Sequence, residues 1–199
     1  MANTISKTEI INLALANLGQ DIVTAADQNT ATARTANLMY DFVRRNLLRA
    51  HDWTFALRTA ELAQSTTTSP FENLPYVYAQ PANALFIKKV IYDGVPHKVT
   101  LLHKFFVNDN NEKLMACPFE ASGVLYVKDE ENPSLFDPSF VACFALLLAA
   151  ELAVPLAGDT NLAQLMLAKY QSKLDEARIS NKVEQLEKPE ASSVFLEAR

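Results

Sequence analysis

The pair of residues in this chain that comes nearest to a catalytic base with its orienting carboxylate is His51 followed by Asp52. Residues 53–58 then alternate in polarity, a period of two that predicts a strand. Adjacent residues on a strand point to opposite faces, so this pair is badly placed to share a proton. Trp53 is expected to pack in a core, because large aromatic side chains mostly contribute burial. The segment therefore predicts packing and not catalysis.

Two further groups of acidic residues could supply acid–base chemistry. Asp129, Glu130 and Glu131 form a charge run before an Asn-Pro pair, which predicts a solvated loop. Glu151 closes an apolar run and could serve as a general acid. An arginine partner or a solvent-facing position is the commoner arrangement for such a residue. A glycosidase would need two carboxylates about 5–9.5 Å apart across a cleft, and the spacing along this chain does not predict such a pair.

The residues that could bind a metal or act as a nucleophile do not have the spacing that such sites require. Cys117 and Cys143 share no metal-ligand spacing with the histidines at positions 51, 97 and 103. The sequence has no nucleophile-elbow, zinc-protease, phosphate-loop or dinucleotide motif, and its four glycines leave little for a phosphate cradle. We therefore predict no catalytic residue, no cofactor and no metal, and expect a protein that is not an enzyme.

Composition and charge limit the fold classes and the kinds of partner that remain possible. The 199 residues are 49% hydrophobic, enough to bury a sizeable core, and only four are glycine, which favours helices over a turn-dense β fold. A net charge of -5 gives no basic footprint for tight nucleic-acid binding, although a negative surface lets DNA slide past without sticking. Arg44, Arg45 and Arg49 form a short basic stripe. Its partners could be phosphates or the carboxylates of a neighbouring subunit.

The elements that must position these residues begin with two helices, expected to pair in antiparallel fashion. Ser6 and Glu9 form a capping box, and Gly19 supplies the stop of the first helix. The second helix is predicted over residues 30–50. It is expected to pack through one broad apolar face and to keep its charged residues outside that face. The apolar face is Leu38, Met39, Phe42, Val43 and Leu47, and the charged residues are Asp41, Arg44, Arg45 and Arg49.

The middle of the chain has strand character. Besides residues 53–58, the strand candidates are rich in aromatic and β-branched residues and lie at 76–78, 84–92 and 123–127. Asp93-Gly94 is a hairpin-type turn signal, and residues 108–112 form a polar loop tip.

Helix returns at Asp137-Pro138, an N-cap followed by proline at the first helical position. This helix is predicted to run to about Val154, and it should be central because it is apolar nearly all round. Its wholly apolar run, 140–150, is shorter than the ~20 residues of a membrane span. We therefore predict a buried core helix.

A last helix is capped by Asp159, is predicted to reach about Glu187, and is ended by Pro189. The whole chain is predicted to be mostly α. The parts are a helical bundle formed by N- and C-terminal helices (1–52 and 137–188), a small β-rich insert (53–136) and an extended C-terminal tail (189–199).

The tail carries an apolar group beyond the helix stop, Val194, Phe195 and Leu196. The segment is too short to form its own core, and segments of this kind tend to become ordered on a partner. These three residues are therefore the candidate partner-binding residues, with Phe195 as the expected buried contact.

Two segments carry a resemblance to a known family. Residues 48–56 read LRAHDWTFA, and residues 76–85 read YVYAQPANAL. The first resembles the part of the tail tubular protein A family of short-tailed phages in which a helix ends in a W-x-F-A-like segment and passes directly into a strand. The second is similar to that family's aromatic-x-aromatic stretch followed by proline and a hydrophobic strand. Chain length and the helix–insert–helix order extend the resemblance over nearly the whole chain.

The resemblance implies a virion structural protein, a head-to-tail adaptor that forms a ring, generally dodecameric, between the portal protein and the tail nozzle protein. DNA would pass through the lumen of this ring without sequence-specific binding, and no membrane would be involved. We expect the free protein to be monomeric or weakly associated in the host cytoplasm, and to close into a ring on the portal with residues 194–196 as its anchor. The alternative is a phage-encoded cell-wall (peptidoglycan) hydrolase carried in the virion.

Overall fold

The computed structural model describes residues 5–92 and 103–184. The chain divides into two compact units, one of residues 5–47 and 132–184 and the other of residues 48–92 and 103–131. The first unit is built from helices and the second from two small sheets.

The helices begin where the sequence predicts. They are α1 (Lys7–Asn17), α2 (Ala31–Ala50), α3 (Pro138–Leu152) and α4 (Thr160–Glu184). At the start of α1, the Ser6 hydroxyl accepts a hydrogen bond from the Glu9 N–H, and the Glu9 carboxylate accepts one from the Ser6 N–H. At the start of α3, the Asp137 carboxylate accepts a hydrogen bond from the Ser139 N–H. The predicted capping residues are thus confirmed.

The apolar helix α3 lies at the centre of its unit, as predicted. It packs against both α1 and α4, and Phe140, Phe144 and Leu148 are 0% exposed. The Phe144 ring centroid lies 4.7 Å from that of Tyr40 on α2 and 5.7 Å from that of Phe140. With the π-helical turn that follows, Pro138–Ala157 is 20 residues long and has a mean hydropathy of 2.3. It is long and apolar enough to cross a membrane, and 56% of its apolar stretch is buried within the structure.

Six strands build the second unit. They are β1 (Leu57–Glu61), β2 (Tyr76–Ala79), β3 (Ala84–Ile91), β4 (Lys104–Val107), β5 (Lys113–Cys117) and β6 (Gly123–Lys128). β6 pairs with β1 and β3 in one antiparallel sheet, and β5 pairs with β2 and β4 in the other. Both sheets contribute to one core, which includes Tyr78, Ile87, Met115 and Val124. The Tyr78 hydroxyl accepts a hydrogen bond of 2.9 Å from the Ala121 N–H within this core.

Gly123 allows the close approach of two paired strands. A Cβ atom at this position would lie 2.9 Å from the backbone oxygen of Ala60 on β1. Backbone atoms cannot move aside as a flexible side chain can, so glycine is required here for β6 to pair with β1.

The prediction of a mostly α helical bundle with a small β-rich insert is wrong, because the chain is mixed α/β, with 47% helix and 20% strand. Low glycine content was the misleading signal. The turn between β4 and β5 uses Asn111, whose φ of 60° is in the left-handed region that glycine usually supplies.

Strands β4 and β5 were not predicted, and for β5 there is a second reason. Residues 114–117 of β5 are all buried, so the strand lacks the alternation of a half-buried strand. The candidates at 76–78, 84–92 and 123–127 are confirmed as β2, β3 and β6. In the segment 53–58, Thr54–Ala56 form a 3-10 turn and β1 starts only at Leu57, so the predicted strand is wrong before that residue. The Asp93-Gly94 turn, the end of the last helix at 187 and the tail 189–199 lie outside the described residues.

Candidate interaction surfaces

The buried face of α2 is not the face that the sequence pattern suggested. Val43 and Leu47 are buried as expected, but Leu38 and Phe42 are 75% and 58% exposed. The side chains of α2 that are buried are Ala33, Ala36, Tyr40, Val43, Arg44, Leu47 and Leu48. Alternating steps of three and four residues along this row were the signal available in the sequence, but the small alanines at its start hid it.

The prediction that Arg44 belongs to an exposed basic stripe is wrong. Its side chain is 1% exposed, and its Nε atom lies 3.3 Å from the carboxylate of Asp41. Arg45 and Arg49 are exposed on the same helix. The three arginines therefore do not form one surface.

An exposed row of four residues runs along α2, and we call it the α2 stripe. Its members are Arg34, Leu38, Phe42 and Arg45, spaced three or four residues apart, so they follow one side of the helix. Arg34 donates a hydrogen bond of 3.1 Å to the Asn29 side chain. The stripe thus has two large apolar side chains between two cationic ones. Apolar anchors next to arginine are typical of the centre of a protein–protein interface.

An open apolar groove lies between α1 and α3, and we call it the α1–α3 groove. Its volume is about 560 Å³, and its apolar lining includes Ile5, Leu13, Phe136, Val141, Ala145 and Leu146. A second pocket of about 390 Å³ adjoins it and shares Ile5 and Leu13 with it. Leu13 is 44% exposed. Concave apolar surfaces of this kind accept the apolar side chains of a partner.

The charges beside the α1–α3 groove are mainly acidic. Glu9 lines the smaller pocket. Asp137 is exposed and stands in sequence between two lining residues of the larger one. The nearby Lys7 ammonium lies 4.6 Å above the centre of the Tyr40 ring. Two carboxylates therefore flank an apolar depression.

The His51–Asp52 segment serves packing and ion pairing. Trp53 is 1% exposed, which confirms its predicted burial. The His51 ring meets the Trp53 ring edge to face at 4.9 Å between centroids. Asp52 forms an ion pair with Lys88 on β3, 2.5 Å between the charged atoms.

The acidic run at 129–131 is not a fully solvated loop. Glu130 is 3% exposed. Its carboxylate lies 2.9 Å from the Lys128 ammonium and 3.4 Å from the Arg58 guanidinium. The predicted solvation is wrong for this residue, because two cations compensate its burial. Glu151 is exposed on α3, in agreement with the solvent-facing arrangement.

Both cysteines are free thiols in the interior. Burial raises the pKa of Cys143 to about 11, and it also raises the pKa of Cys117. Thiols with raised pKa values stay protonated near neutral pH and are poor nucleophiles and metal ligands. Among residues 5–92 and 103–184, His, Cys, Asp and Glu side chains form no group of three that could hold a metal ion.

The predicted partner-binding residues Val194, Phe195 and Leu196 lie outside the described residues. The α2 stripe and the α1–α3 groove were not predicted from the sequence. No family model matches this chain, and a search of curated proteins gives no match.

Proposed function

We propose that this chain is a head-to-tail adaptor, a virion structural protein that forms a ring between the portal protein and the tail nozzle protein of a short-tailed phage. The observation that carries the proposal is the ordered pair of family-like segments, residues 48–56 and 76–85. In this role the protein is not an enzyme, and DNA passes through the ring without sequence-specific binding.

The local structure of the first segment supports the proposal. Helix α2 ends at Ala50, Trp53 is buried, and β1 starts at Leu57 after a short 3-10 turn. This is a helix that passes almost directly into a strand, the feature on which the resemblance depends. The second segment supplies β2, a short turn at its proline and the start of β3.

The surface of the helical unit also supports an assembly role. The α2 stripe and the α1–α3 groove together expose Leu13, Leu38 and Phe42, which are between 44% and 75% accessible. Exposed apolar anchors of this kind mark interaction surfaces more often than catalytic sites.

The test is negative-stain microscopy of the full chain mixed with the portal protein of the same phage. We expect a ring bound to one end of the portal, and light scattering of the chain alone should give a monomer or weak oligomer. A chain that never binds the portal would remove the adaptor function. A clear lytic band in a peptidoglycan zymogram would favour the hydrolase alternative instead.

The anchor residues can be tested separately with matched variants. Phe195→Ser should abolish portal binding in a pull-down, whereas Ser193→Ala, two residues away, should leave it unchanged. Portal binding at full strength by Phe195→Ser would show that the anchor lies elsewhere, for example on the helical unit.

A further inference from the structure

The geometry points to a specific contact between two copies of this chain: the α2 stripe of one copy docks into the α1–α3 groove of the next. The inference rests on the proposed ring and names the surfaces that would join its subunits. A stripe and a groove are different surfaces, so the contact is head-to-tail and can repeat around a ring.

The apolar parts of the two surfaces match in number. Leu38 and Phe42 are four residues apart on α2, so they project side by side from the same side of the helix. The groove consists of two adjoining pockets, of about 560 and 390 Å³, that share Ile5 and Leu13. One apolar side chain can therefore enter each pocket, which is the usual way a helix binds in a groove.

The charged parts match in sign. Arg34 and Arg45 stand at the two ends of the apolar pair on the stripe. Glu9 belongs to the smaller pocket, and Asp137 is exposed beside the larger one. Asp41, the acidic neighbour of the stripe, lies against the guanidinium of Arg44. A stripe with two cations thus faces a groove with two carboxylates, so the two surfaces are complementary in charge.

Another exposed apolar side chain of the helical unit, Ile179, has different surroundings. On α4, Ile179 is 66% exposed, and four of the described charged side chains on this helix are paired with one another. Lys173 pairs with Glu176, and Arg178 pairs with Asp175. These two pairs cancel in charge, so Ile179 provides a control at an exposed apolar position of the same unit.

Disulfide trapping tests the contact. Two variants, Leu38→Cys and Leu13→Cys, are given tags of different mass, mixed at high concentration without portal, and oxidised mildly. Cys117 and Cys143 remain in place because both are buried. We expect the mixed disulfide to form several-fold faster than either self-disulfide. It should also form several-fold faster than in a mixture of Leu38→Cys with Ile179→Cys. Adding Arg34→Glu to the stripe variant should slow it several-fold.

Two outcomes would overturn the inference. A Leu38→Cys variant that pairs mainly with itself would indicate a two-fold contact between stripes. Trapping no faster than with Ile179→Cys, in free protein and in the portal complex alike, would mean that the groove binds something else, such as the portal or residues 185–199. A mixed disulfide without any portal binding would support the contact and contradict only the adaptor function. Portal binding without a mixed disulfide would support the adaptor function and contradict only the contact.

Discussion

The two units of this protein build their cores in opposite ways. In the helical unit, Phe136, Phe140 and Phe144 repeat at intervals of four residues and pack edge to face, so neighbours along one stretch of chain supply the centre of the core. In the β unit, the buried hydrogen bond between Tyr78 and Ala121 joins residues that are 43 positions apart. Local spacing therefore determines much of the first core, whereas pairing between distant segments determines the second.

The largest effect is expected from the aromatic cluster of the helical unit. Phe144→Ala removes a ring that is 0% exposed and contacts both Tyr40 and Phe140. We expect the free energy of unfolding to fall by about 3–5 kcal/mol in chemical denaturation. Phe144→Leu, which keeps most of the volume, should cost much less. If both variants lost the same free energy of unfolding, the ring would not stabilise the core by filling volume.

A smaller effect is expected in the β unit. Tyr78→Phe keeps the ring but leaves the buried Ala121 N–H without its acceptor, which should cost about 1–3 kcal/mol in the same measurement. Tyr76→Phe, on the same strand and only half-buried, is the matched control and should change little. If the two variants were equally stable, the long-range hydrogen bond would contribute nothing to closing this core.

Alkaline pH should weaken the helical core through Cys143. Burial raises the pKa of its thiol from 9.0 to about 11 in the folded state. The unfolded chain therefore loses this proton first, and stability is complete below pH 9 and falls as the pH rises towards 11. The expected loss is about 1 kcal/mol at pH 10. Thermal midpoints between pH 8 and 11 should fall less steeply in Cys143→Ala than in the parent chain, and parallel curves would contradict this.

The smallest effect is expected for Phe42→Ala, although it removes a whole ring. Phe42 is 58% exposed, and surface substitutions usually change stability by less than about 0.5 kcal/mol. Chemical denaturation of Phe42→Ala and Phe144→Ala compares the loss of an exposed ring with the loss of a buried ring in the same unit. If Phe42→Ala lowered the free energy of unfolding by several kcal/mol, Phe42 would be buried, as the sequence pattern suggested.

The sequence predicted the helices and three strands because their signals are local. The Ser6–Glu9 box, the Asp137-Pro138 start and the apolar character of α3 depend on residues a few positions apart. It did not predict β5, because a strand buried on both faces loses its alternation and is recognised only through its partners.

The surfaces of the helical unit could not be predicted for a related reason. Residues 38–47 of α2 contain more apolar side chains than one face can bury, and only the packed neighbours decide which remain outside. Tyr40 is held inward by contact with Phe144, and this leaves Phe42 to the solvent. The prediction that Leu38 and Phe42 are buried is wrong for this reason. Both residues are exposed and belong to the α2 stripe.

The close approach at Gly123 has a consequence for the evolution of this chain. Any side chain there would meet the Ala60 backbone at 2.9 Å, so a codon change at position 123 cannot be rescued by repacking a flexible neighbour. Lineages that diverge from this sequence should therefore vary freely at exposed positions and still keep glycine at this one. In a deep mutational scan read out by folded protein, substitutions at position 123 should be strongly depleted.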